Sequence, residues 1–72
     1  MGKLKQIVAK ILNIREDDVN ADLSPDNTES WDSFNHLLII SEIEKDMGIQ
    51  IPIDKVSEIR NFADLCKLVK GD

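Results

Sequence analysis

At 72 residues, with 42% hydrophobic and 32% charged side chains, the chain can build one small core and is too apolar to stay disordered. A formal net charge of −5 is the wrong sign for nucleic acid or an anionic membrane surface, and favours partners with basic patches. No apolar run approaches the roughly 20 residues of a membrane span and no signal-peptide pattern opens the chain, while a single cysteine, Cys66, excludes an internal disulfide and suits a reducing cytosol. The expectation is one cytoplasmic, monomeric domain over residues 1–72.

Leu4, Ile7, Val8, Ile11 and Leu12 follow the i, i+3, i+4, i+7, i+8 rhythm of an amphipathic helix, with Lys3, Lys5, Gln6 and Lys10 on its other face. Asn13 can end that helix in the left-handed conformation. From there to Asp32 the chain is polar, anchored mainly by Ile14, Val19 and Leu23. A connection of that length is uncommon in so small a domain and is often functional.

A second helix is predicted from about Ser33 to Met47, with Asp32 or Ser33 as its cap and Gly48 as its stop. Ile49-Gln50-Ile51 alternates like an extended linker, and Pro52 bars continuation of the helix before it. Residues 54–59 suit a short helical turn with Val56 and Ile59 inward. Asn61 and Asp64 form an imperfect capping pair for a last helix whose buried stripe is Phe62, Leu65, Cys66 and Val69. The fold class is therefore all-α: a three-to-four-helix bundle with a long loop between the first and second helices.

The second helix carries two apolar faces. At 100° per residue, Ile39, Ile40, Ile43 and Met47 share one arc with His36 at its edge. That arc joins Ile7, Ile11, Val56, Ile59, Phe62 and Leu65 in the predicted core. Phe34, Leu37 and Leu38 point largely away from it. They either cover the long loop or form a partner-docking patch beside Ser33.

Ser33 is the residue on which chemistry turns. Asp32, Ser33 and His36 supply the residue types of a hydrolytic triad, yet all three lie within one helical turn. A base must sit between nucleophile and acid beside an oxyanion hole, which this spacing does not offer, so no enzyme is expected. Asp18, Asn20, Asp22, Ser24, Asp26 and Glu29 match the ligand spacing of a calcium loop. Leu23 stands where that loop needs glycine and Pro25 lacks an N–H, so no specific metal site is expected. Cys66 reads as a core filler. A cofactor-free helical interaction module, with Ser33 as a mere cap, remains an alternative.

Asp32-Ser33-Phe34 before an amphipathic helix, then Gly48 and Ile51-Pro52, resembles the acyl carrier proteins, as does the run Leu12-Asn13-Ile14-Arg15-Glu16-Asp17-Asp18-Val19 at the end of the first helix. The resemblance spans nearly the whole chain and implies a carrier rather than a catalyst. It implies that Ser33 is esterified to 4′-phosphopantetheine by a phosphopantetheinyl transferase, with Asp32 helping to recruit that enzyme. The arm's thiol would hold acyl intermediates of fatty-acid, polyketide or related biosynthesis as thioesters. An aminoacyl or peptidyl carrier of a dedicated ligase system is the alternative. Trp31, Phe34, Leu37, Leu38, Glu42 and Glu44 are the residues expected to meet acyl ligases, synthases or transferases through basic docking patches, with Asp46 extending the acidic stripe. Ser30 stands where the family usually has glycine, Trp31 where it often has a small residue, and Leu38 and Lys45 where acids are common. These departures, with the Trp-Asp-Ser-x-x-His pattern completed by His36, resemble specialised stand-alone carriers. The aliphatic interior is expected to be adaptable enough to part around a hydrophobic cargo.

Overall fold

The computed structural model describes residues 2–70. It contains four helices, α1 (Gly2–Leu12), α2 (Ser33–Met47), α3 (Ile53–Val56) and α4 (Phe62–Lys70), with a 3₁₀ turn at Glu16–Asp18 and no strand among the described residues. None of these helices is long and apolar enough to cross a membrane.

α1 lies along α2 and buries Leu4, Ile7, Val8, Ala9 and Leu12. It ends as its sequence requires. Asn13 adopts φ 59°, and its N–H reaches the Lys10 carbonyl at 3.3 Å while that of Ile14 reaches Ala9 at 3.0 Å. These two bonds are the paired closure of a left-handed C-terminal cap. Gly48 ends α2 with φ 64°, its own N–H and that of Ile49 both returning to the Glu44 carbonyl, the latter at 3.3 Å.

The predicted core is present in nearly every member: Ile7, Ile39, Ile40, Ile43, Val56, Ile59, Phe62 and Leu65 are buried. Ile11 is the exception, half-buried at the edge with Met47. The core also takes in Val19, Leu23 and Trp31, so the long loop contributes three side chains to it. The loop is a chain of turns rather than a slack segment. Asn27 closes one of them twice, accepting from the Ser24 N–H at 3.0 Å and donating to the Asp22 carbonyl at 2.8 Å.

The loop also caps α4. The Phe62 N–H donates to the Leu23 carbonyl at 2.8 Å and that of Ala63 to Ala21 at 3.3 Å, satisfying two donors that a helix start leaves open. The Asn61–Asp64 pair acts as expected in one direction, Asn61 Oδ1 accepting from the Asp64 N–H at 2.8 Å. In return the Asp64 carboxylate takes the Arg60 N–H at 3.1 Å, one residue beyond the N-cap N–H of a standard capping box. α3 is shorter than the predicted turn over 54–59. Its end unwinds into bonded turns that still bring Ile59 inside.

Candidate functional site

Ser33 is the first residue of α2 and is exposed. Asp32 caps the helix from an extended conformation, its Oδ1 accepting from the Asn35 N–H at 2.9 Å. The Asn35 side chain then donates back to the Ser30 carbonyl at 2.7 Å, clamping the loop onto the first turn. Asp32 therefore has a measurable structural role. Asp32→Ala should lower stability by about 1 kcal/mol in a urea titration, while Asp32→Asn, which keeps an acceptor, should lose only a few tenths.

The cap takes one first-turn donor, and the N–H groups of Ser33 and Phe34 have no acceptor within the helix. An exposed hydroxyl at the positive end of a 15-residue helix suits an attached phosphodiester, whose negative charge the helix dipole favours. The residues present thus fit a covalently held phosphate group.

His36, one turn further on, is half-buried and fully engaged. The Trp31 indole N–H, which can only donate, reaches His36 Nδ1 at 3.0 Å, and His36 Nε2 faces the Val56 carbonyl at 3.1 Å. That pairing assigns the neutral tautomer with its proton on Nε2. Neither nitrogen is left to accept a proton from Ser33, so the triad chemistry lacks its base. The acidic loop is tied internally. Asn20 Oδ1 takes the Asp22 N–H at 3.0 Å, and no group of three acidic, imidazole or thiol side chains is assembled for a metal among the described residues.

Three of the six expected partner contacts lie on one exposed face: Phe34 is 70% exposed, Leu37 57% and Leu38 41%. Ile53, at the start of α3, is 84% exposed and adds to that apolar surface, a residue with no place among the sequence expectations. Between α2, α3 and the loop runs an open groove of about 610 Å³ whose lining includes Ser33, Leu37 and Ile53.

Trp31, expected among the partner contacts, lies inside the core. Only 2% exposed, it is among the largest fully buried side chains, and its ring lies near-parallel to His36 with centroids 6.1 Å apart. A core so poor in aromatics gains most from its one indole, and the N–H finds a buried acceptor. The acidic stripe is also weaker than expected. Glu42 is half-buried, Glu44 accepts the Ile51 N–H at 2.7 Å, and Asp46 lies 3.8 Å from the Lys3 ammonium. Apolar surface, not acid, dominates the surroundings of Ser33.

A helical bundle that presents an exposed hydroxyl at a helix start is the form a carrier domain needs. Family comparison agrees: residues 2–69 match the family described as "Phosphopantetheine attachment site". The chain is 34% identical over 69 residues to an acyl carrier protein of Treponema denticola, covering 96% of this chain and 88% of that one. Its fold matches the solution structure of a holo acyl carrier protein from Geobacter metallireducens with a TM-score of 0.86 and 21% identity, over 97% of this chain and 80% of that one. The chain belongs to the phosphopantetheine-binding acyl carrier protein family, whose members are carriers that bear a covalent 4′-phosphopantetheine and meet phosphopantetheinyl transferases and synthase enzymes.

Proposed function

We propose that Ser33 is the attachment residue and that the chain serves a specialised biosynthetic system rather than general fatty-acid synthesis. The observation that supports this most is the exposed Ser33 hydroxyl at the start of α2, inside a face of exposed Phe34, Leu37, Leu38 and Ile53. When attached, 4′-phosphopantetheine supplies a terminal thiol that carries acyl groups. The chain's own part is to hold and present. α2 offers its unpaired N–H groups to the phosphodiester, and the Asp32 cap fixes the geometry of the first turn. With both His36 nitrogens engaged, the proton leaving Ser33 Oγ goes to a base of the transferase.

Phe34, Leu37, Leu38 and Ile53 form the partner-docking face, and Glu42 with the net charge of −5 steers encounter with basic partners in the cytoplasm. The one-domain, monomeric organisation belongs to the same proposal. Intact-mass measurement after incubation with coenzyme A and a broad-specificity phosphopantetheinyl transferase tests the attachment. Wild type should gain one phosphopantetheine and Ser33→Ala none. Equal gain by Ser33→Ala, or none by wild type, sinks the proposal.

A further inference from the structure

The surface that α2 presents to solvent changes character along its length. At 100° per residue, Phe34, Leu38, Ser41 and Lys45 fall within an arc of about 60°, with Leu37 just outside it. All five are exposed, and Ile53 of α3 widens the apolar end across the groove that it lines with Leu37. Lys45 closes the other end, about 18 Å along the helix axis from Ser33.

The acids of α2 do not occupy this stripe. Glu42 is half-buried at its side, the Glu44 carboxylate receives the Ile51 N–H at 2.7 Å, and Asp46 lies 3.8 Å from the Lys3 ammonium. Lys45, by contrast, has no ion-pair partner among the described residues. At the attachment end stands Asp32, exposed beside Ser33, and a phosphodiester on Ser33 adds a second negative charge. The stripe is therefore negative at one end, apolar next to it and positive at the other end. A uniformly basic partner surface would match the first end and be repelled at the last. The i, i+4 pairs Phe34–Leu38 and Leu37–Ser41 form adjacent ridges of the kind against which a second helix packs.

We propose that this face takes an amphipathic helix of a partner enzyme, with an apolar ridge against Phe34, Leu37, Leu38 and Ile53, a cation toward Asp32 and a carboxylate opposite Lys45. The two charges fix the direction in which that helix lies, and so which part of the partner stands over Ser33. The net charge of −5 steers basic partners from a distance, while salt screening leaves selection to the groups in contact. The inference rests on the docking reading of the same face, and its test keeps the two apart.

Two stapled helical peptides of α2's length, 15 residues, share a leucine ridge. One carries Lys at one end and Glu at the other, and the second carries Lys at both. Each is titrated into the full chain at about 0.15 M salt and followed by NMR. Both should shift the resonances of Phe34, Leu37, Leu38 and Ile53, with the Lys/Glu peptide bound about threefold more tightly. In Lys45→Glu the preference should reverse, by about threefold the other way. Lys5→Glu makes the same change in net charge on the exposed face of α1 and should leave the wild-type preference in place. Leu38→Ser should weaken both peptides about fivefold and keep their ratio. Absence of shifts at the four apolar residues removes the docking face, and this inference with it. Binding at that face with the two-Lys peptide equal or tighter in wild type, or a preference that Lys45→Glu leaves unmoved, overturns the charge assignment alone.

Discussion

Trp31→Ala should leave the protein largely unfolded. Removing a fully buried indole typically destabilises a domain by about 3–5 kcal/mol, and a chain of this size has only about 4–10 kcal/mol in total. Two further losses add to the cavity here. His36 Nδ1 would face a void where the indole N–H stood, and the loop would lose the side chain that seals it beside Val19 and Leu23. Urea titration followed by far-ultraviolet circular dichroism reads the result, since the variant has no tryptophan to report by fluorescence. Trp31→Phe should retain a folded bundle, losing the hydrogen bond and part of the volume. A near-wild-type midpoint for Trp31→Ala would mean that the indole lies on the surface after all.

Glu44→Ala should destabilise by about 1.5–3 kcal/mol, the range for a hydrogen bond to a charged group. The Glu44 carboxylate accepts from the N–H of Ile51, a residue only 8% exposed, at 2.7 Å, so truncation strands a donor away from water. Glu44→Gln keeps an acceptor and should lose less than half as much. The comparison separates two roles that the sequence does not distinguish. If Glu44 mattered only as docking charge, both variants would leave the urea midpoint unchanged and weaken partner encounter alike.

Much of this structure is legible in the chain because local rules and tertiary packing agree. Asn13 and Gly48 end their helices at the predicted residues because a left-handed residue is needed there and few side chains tolerate it. α2 runs from Ser33 to Met47 as its periodicity and caps require, and its second apolar face is exposed around Ser33. What stayed hidden depends on how the elements are placed against one another. Nothing local says that Trp31 turns inward, since the groups that receive it arrive from α2, with α3 completing the relay. Glu44 looks like any helix-face acid until the linker folds back and offers it the Ile51 N–H. Ile53 follows a proline in a short apolar run, and only the placement of α3 leaves it bare. In each case the missing information was which element stands opposite.

The bonds from Phe62 and Ala63 to Leu23 and Ala21 bear on how the molecule assembles. They join the long loop after α1 to α4, so neither part can be completed without the other. Closing so wide a span removes much chain entropy before any contact repays it, placing this junction late in folding. The turns after α1 and α2 are by contrast set by neighbours within five residues and can form early. The loop is therefore a clasp and not a tether. Shortening it, or opening the chain within it to graft another sequence, removes the N-terminal support of α4 along with the roof of the core.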